Sequence, residues 1–284
     1  MLLKNERMLI SPTSMADRIG QTPSDSGAPE TWAKFADAFR RSATPLPQPW
    51  AALFGPLLTG TADDLVVVGQ IGQSLDGRIA TESGHSKYIN GPAGLDHLHR
   101  LRALVDAVVV GVGTALADDP QLTVRRVAGP NPARVILDSK GRLPASAKVF
   151  TDDGVRRLLI TAQATRCVPP TGVEIVALPT VDARMAPSAI LAALAERGMR
   201  RVLIEGGADT VSRFLVAGCL DRLHVMVAPI IFGAGPASFI LPPLERADQT
   251  PRLPIHVHRL GDDVLFDCDL SAQRVAVGRA EKST

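Results

Sequence analysis

At 284 residues, with 45% hydrophobic and 21% charged side chains, the chain is long enough for one sizeable α/β domain plus an extension and has the composition of a protein with a proper core. Its 31 basic and 29 acidic residues leave a formal charge of +2, which gives no field for a general nucleic-acid or membrane-surface binder, and neither partner is expected. Cys167, Cys219 and Cys268 are far apart and form no C-x-x-C pair, so they read as small buried hydrophobes in a reducing compartment.

The opening MLLKNERMLI carries Lys4, Glu6 and Arg7 where a signal peptide needs an unbroken apolar core, and no run elsewhere approaches a membrane span. A cytoplasmic address is expected. Ser11 to Glu30 is rich in Ser, Pro, Gly and Asp and reads as a disordered tail. Trp32 to Arg41 then sets Trp32, Phe35, Ala36 and Phe39 at helical spacing, which predicts a short amphipathic helix docked on its own domain or on a partner. Residues 1–63 thus read as an N-terminal extension, 64–271 as the main domain and 272–284 as a polar tail.

The main domain opens on two short, β-branched apolar runs, Leu65 to Val68 with Ile71 beyond, and Ala107 to Val112. Each is followed by a loop rich in Gly, Ser, Asp and Thr, the pattern of buried parallel strands with a site at their carboxyl ends. Between them Pro92 opens a helix running to Val105, with Leu95, Leu98, Leu101 and Val105 as its apolar stripe. At 100° per residue Arg102 falls inside that arc and Arg100 faces the other way. A guanidinium at the buried edge implies an internal salt bridge, a snorkelling side chain or a ligand phosphate.

Further strands are expected at Arg134 to Leu137, Lys148 to Phe150, Arg157 to Thr161, Glu174 to Leu178, Arg201 to Ile204, Asp221 to Val227, His256 to Leu260 and Val264 to Leu270, the last two joined as a hairpin. Helices are expected after Pro187, ending at Gly198, and from Ala208 to Ala217. The class that follows is α/β, three layers (αβα) with a mostly parallel central sheet. Glu205-Gly206-Gly207 between strand and helix lets backbone N–H groups approach a phosphate at the helix start, although a Gly pair also serves plain turns. The G-x-G-x-x-G and Walker patterns are absent; helical spacing points His97 and His99 about 200° apart, and His256/His258 would share a strand face with no other ligand in view, so no metal is expected. Asp76, just before Gly77, suits a turn-forming role.

Taken together, SLDGRIA (Ser74 to Ala80), LRALVDAVVVGVGTALADDPQLTVR (Leu101 to Arg125), NPARVILDS (Asn131 to Ser139), LIEGGADT (Leu203 to Thr210) and VAPIIFG (Val227 to Gly233) resemble the pyrimidine reductase domain of riboflavin biosynthesis. That domain has a dihydrofolate reductase-like fold and in many relatives lies behind a zinc deaminase. The likeness covers Asp64 to Leu270. It implies NADPH-dependent reduction of 5-amino-6-(5-phosphoribosylamino)uracil, or its 2,5-diaminopyrimidinone relative, to the ribitylamino form. The substrate side it implies is Ser86, Arg102, Leu122, Arg125 and Glu205, with Arg102 and Arg125 on the 5-phosphate. The cofactor side is Gly72, Tyr88, Thr114, Asp118 and Ser139, with Gly206, Gly207, Ala208, Asp209, Thr210, Val211, Ser212 and Arg213 at the pyrophosphate.

No general acid is assigned. Lys140 or Arg142 could meet a 2′-phosphate, or either could be a solvated loop charge. Two departures stand out. The deaminase signature H-x-E with P-C-x-x-C is missing, and Gly84-His85-Ser86 with Tyr88 stands where the family tends to have Gly-Glu-Ser and a Trp. The rival readings are a reductase of the same fold acting on another pterin, pyrimidine or secondary-metabolite precursor, and a silent binding module. Relatives of this fold pair through sheet edges, so a homodimer is expected.

Overall fold

The structure, a computed structural model, describes residues 19–20, 29–87, 89–246, 248, 250 and 252–277. Tyr88, most of the expected tail between Ser11 and Glu30, and residues 278–284 lie outside the described residues. In chain order the elements are β1 (Ile19–Gly20), α1 (Pro29–Arg40), α2 (Ala51–Phe54), β2 (Val66–Ser74), α3 (Pro92–Leu104), β3 (Ala107–Gly111), α4 (Val112–Asp118), β4 (Ala133–Leu137), β5 (Arg157–Ala162), β6 (Val173–Leu178), α5 (Pro187–Glu196), β7 (Arg201–Glu205), α6 (Ala208–Val216), β8 (Arg222–Ala228), β9 (Ile255–Leu260) and β10 (Asp263–Asp269). No helix among the described residues is long and apolar enough to cross a membrane.

The strands form one sheet ordered β1-β9-β10-β8-β2-β7-β3-β4-β5-β6. Every pairing is parallel except those of β10 with β8 and β9. Strand alternation splits the apolar residues between two cores. Val66, Val68, Val108, Val110 and Leu203 face α1 to α4, while Val67, Val109, Val202 and Ile204 face α5 and α6. The α/β class with a mostly parallel sheet between helical layers is therefore confirmed. At one edge β9 is already paired with Ile19–Gly20, so Val257 and His258 are not open for a partner strand.

The extension belongs to the body of the fold. Trp32, Phe35, Phe39, Trp50 and Phe54 are buried in the same core as Leu101 and Leu104 of α3, each such side chain contributing about 1.5–3 kcal/mol by leaving water. Their rings meet at centroid separations of 5.7 to 6.1 Å, and the Trp32 indole donates to Ala128 O at 2.7 Å. Arg100, expected to face outward, instead lies buried with its guanidinium 4.2 Å from the Trp50 ring centroid and 5.7 Å from that of Trp32. The extension covers the side of α3 that the wheel left to solvent.

Three other expectations are corrected. Lys148–Phe150 is a turn of 3₁₀ helix rather than a strand, with Val149 and Phe150 tucked into the core. Val112 opens α4 instead of ending the second strand, because Gly111 adopts an extended cap before it. The segment after Ser271 is no loose tail as far as Val277. Arg274 is buried between Asp63 (3.4 Å) and Asp221 (3.2 Å), and the Val277 amide donates to Asp63 at 2.7 Å. Asp221 also accepts from Thr61 and from the Val67 amide, each at 2.8 Å. The chain's entry into the sheet and its exit are thus clasped together.

Candidate active site

The carboxyl ends of β2, β3, β4 and β7 open into a cleft of about 690 Å³. This is where an open parallel sheet leaves room for a ligand, because the chain turns away to opposite faces. Ten of the expected cofactor residues line it: Gly72, Thr114, Asp118, Ser139, Gly206, Gly207, Ala208, Asp209, Thr210 and Arg213. Ser86, from the substrate set, joins them and donates to Asp118 at 3.0 Å. Val211 and Ser212 do not reach it. Val211 points into the core behind α6, and the Ser212 hydroxyl takes the Ile240 amide at 2.8 Å. They are the positions of that run turned inward by the helical repeat.

The turn before α6 is shaped by its glycines. Gly206 and Gly207 have φ of 66° and 61°, a left-handed region costly for other residues. A Cβ on Gly207 would stand 2.6 Å from the Thr114 hydroxyl, across the space where the first amides of α6 emerge. Arg213 and Arg184 both flank Asp209, at 3.8 and 3.6 Å, and all three line the cleft. Arg142 lines it too, whereas Lys140 does not.

Beside the cleft, where β7 ends at Glu205, lies a second polar locus. Arg102 is buried and grips Glu205 side-on, Nε to Oε2 at 2.8 Å and Nη2 to Oε1 at 2.5 Å, while Nη1 donates to Thr123 O at 3.1 Å. The internal salt bridge is thus the form the buried guanidinium takes. Among the described residues three of its five N–H groups are used, leaving one on Nη1 and one on Nη2. Arg125 sits close by, exposed, its Nη1 donating to the Thr123 hydroxyl at 2.7 Å. Burial and then the Arg102 charge lower its pKa, and Glu205 offsets them in part. His99 accepts the Arg125 amide at Nδ1 (2.9 Å), and burial followed by the charges of Arg102, Arg125 and Arg126 depresses it to about 3, so it is neutral. Two guanidinium groups against one carboxylate leave an excess positive charge suited to an anion. Leu122, placed on the substrate side by resemblance, is buried in the core with φ of 56°.

Asp76 has a role wider than its own turn. It accepts the Ser74 hydroxyl at 2.6 Å and the amides of Phe232 (3.1 Å) and Gly233 (2.8 Å), and the Ser74 bond first, then the Phe232 amide, lowers it to about 2. An ionised carboxylate turned onto backbone amides is no proton donor at neutral pH. Residues that sequence reasoning missed include Ile79, Arg184, Met185, Pro236 and Ile240, which wall the cleft from loops. Only the charge of Arg184 could have drawn notice, and nothing in its spacing ties it to the strand ends. Among the described residues no group of His, Cys, Asp and Glu could hold a metal ion.

Fold and cleft define an α/β protein with a phosphate-suited groove across parallel strand ends and a cationic locus next to it. Residues 66–266 match the family of the RibD C-terminal domain, and the chain belongs to that family. It is 39% identical over 166 residues to the riboflavin biosynthesis protein RibD of Bacillus amyloliquefaciens, covering 56% of this chain and 44% of that one. To the 2,5-diamino-6-ribosylamino-4(3H)-pyrimidinone 5′-phosphate reductase of Methanothermobacter thermautotrophicus it is 36% identical over 179 residues, 59% of this chain and 79% of that one. The crystal structure of a diaminohydroxyphosphoribosylaminopyrimidine deaminase/5-amino-6-(5-phosphoribosylamino)uracil reductase from Thermotoga maritima superposes with a TM-score of 0.62 at 31% identity, over 72% of this chain and 56% of that one. The chain thus spans about half the length of the RibD proteins it matches.

Proposed function

We propose that the protein is an NADPH-dependent reductase acting on 5-amino-6-(5-phosphoribosylamino)uracil or its 2,5-diaminopyrimidinone relative. The observation that carries this reading is the juxtaposition, at the end of one strand, of the Gly206-Gly207 cleft with the Arg102–Glu205–Arg125 locus. The donor set fits a dinucleotide. The Gly206-Gly207 turn and the start of α6 suit a pyrophosphate, Thr114, Asp118 and Ser139 can bind ribose hydroxyls, and Arg142 and Arg184 can meet a 2′-phosphate. When bound, the reduced nicotinamide supplies a hydride.

The chain's own residues bind, orient and exclude water. Arg125 and the two remaining N–H groups of Arg102 hold the 5-phosphate, and the ribose C1′ is thereby directed toward the cleft. Glu205, kept in place by Arg102, orients the ring-opened sugar or pyrimidine by accepting from it. Ile79, Pro236 and Ile240 supply an apolar wall. Reduction at C1′, with a proton delivered to the attached nitrogen, leaves the ribitylamino product.

The test is turnover of the aminouracil ribosyl phosphate with NADPH and with NADH, followed by loss of reduced-nicotinamide absorbance. Arg125→Ala should raise KM about tenfold for the phosphorylated substrate and little for its dephosphorylated form, the exposed cation contributing about 1.4 kcal/mol. Arg142→Ala should weaken NADPH and spare NADH. No turnover and no NADPH binding at millimolar cofactor would end the proposal.

A further inference from the structure

We propose that Asp76 is a positioning residue for hydride transfer, pinning the segment between β8 and Ile240 as a roof over the cleft. The inference rests on the reductase reading above. A carboxylate whose task is only to shape its own turn bonds locally, yet two of the three groups Asp76 accepts from, the Phe232 and Gly233 amides, lie 156 and 157 residues further along the chain. The third, the Ser74 hydroxyl, receives in turn the Arg78 amide at 2.9 Å and so couples the turn to the same anchor.

Around this point the two segments are laced together. The Leu75 amide meets Ile230 O at 2.8 Å, the Ile79 amide meets Pro236 O at 3.1 Å, and the Ser238 amide meets Gly77 O at 3.0 Å. Arg78 Nη1 reaches Gly235 O at 3.1 Å. The inner side of this seam carries Ile79, Ala80, Pro236 and Ile240 into the cleft wall. Much of the seam is open to water, with Leu75 63%, Ile231 71% and Ile240 62% exposed.

Burial holds only the roof's far end, where Ser238 is buried and Phe239 packs on the core, and does little for 230–237. Its position depends on the hydrogen bonds, and Asp76 supplies the only carboxylate bonded to a backbone amide of 229–238 among the described residues. Asp76 does not line the cleft itself. Its influence passes through the apolar wall, which would shield a bound nicotinamide from water and hold it for transfer.

The experiment compares wild type with Asp76→Ala and Asp76→Asn in the full chain. In the cofactor-free protein, amide exchange of Phe232 and Gly233 should quicken in Asp76→Ala while the core strands stay protected. In turnover, NADPH affinity and kcat should each fall about tenfold, with KM for the ribosyl phosphate within about twofold and Tm nearly unchanged. Asp76→Asn, which keeps an acceptor oxygen, should restore part of both losses. Unaltered exchange at Phe232 and Gly233, or unaltered NADPH affinity and kcat, overturns the proposal while leaving the reductase reading intact. So does a parallel loss in every constant together with a large fall in Tm, which would mark a general structural role. A wild-type protein that neither binds nor oxidises NADPH sinks the reductase reading, and this proposal with it.

Discussion

Replacing Glu205 by Ala removes the partner that accepts two of the three hydrogen bonds made by the buried Arg102. Hydrogen bonds to charged groups contribute about 1.5–3 kcal/mol each, so about 3–6 kcal/mol is lost. The cost of leaving one ion of a buried pair unmatched, about 3–5 kcal/mol, agrees. With side chains only 6% and 11% exposed, solvent screening does not reduce these figures much. For a chain of this size the loss corresponds to roughly 10 °C in Tm. The assay is urea unfolding of the cofactor-free protein, with a double-mutant cycle built from Arg102→Met, Glu205→Leu and the pair Arg102→Met/Glu205→Leu. The double variant should recover most of the stability, since an apolar pair of similar volume avoids the desolvation cost, and the coupling energy should be several kcal/mol. A Glu205→Ala cost below about 1 kcal/mol, or additive single effects, would refute the reasoning.

Other outcomes follow from the same geometry. Gly207→Ala forces a Cβ into a left-handed backbone and to within 2.6 Å of the Thr114 hydroxyl; NADPH affinity should drop at least tenfold, by fluorescence titration, at a stability cost of about 1–2 kcal/mol. Burial, as the leading cause, lowers the pKa values of His97, His99 and His258, reaching about 3 for His99. Below about pH 6.5 the unfolded chain binds protons that the folded one refuses, so stability present above that pH should be lost on acidification down toward pH 3. Urea midpoints measured across that range should fall, and His99→Asn should lessen the slope. Arg100→Ala removes the cation between Trp32 and Trp50 and should cost about 1–2 kcal/mol, with a shift in tryptophan emission because both of the chain's tryptophans flank it.

What the sequence revealed was whatever is written in short-range pattern. β-Branched runs bounded by glycine marked β2, β3, β4 and β7, and the Gly206-Gly207 pair marked the cleft floor. Long-range pairing was hidden. Arg102 could be seen to need an anion, but Glu205, 103 residues away, became its partner only once α3 was laid across the sheet. Arg100 was placed on the wrong side of the buried boundary because a wheel describes one helix, and the extension that covers it is encoded some 50 to 70 residues earlier. Lys148 to Phe150 shows the limit of short apolar runs, which serve a buried 3₁₀ turn as well as a strand. The roof residues Pro236 and Ile240 sit in irregular chain, where no periodicity marks what they face.

The clasp of Asp63, Asp221 and Arg274 lies before β2 and β8 begin, at the end of the sheet remote from the groove. Residues 61–63 and 274–277 therefore meet at one corner of the fold. A module joined after Val277 would start from that corner, away from the groove, whereas an insertion within 229–238 would land beside the groove itself. The architecture thus tolerates cargo at its back and forbids it at its front.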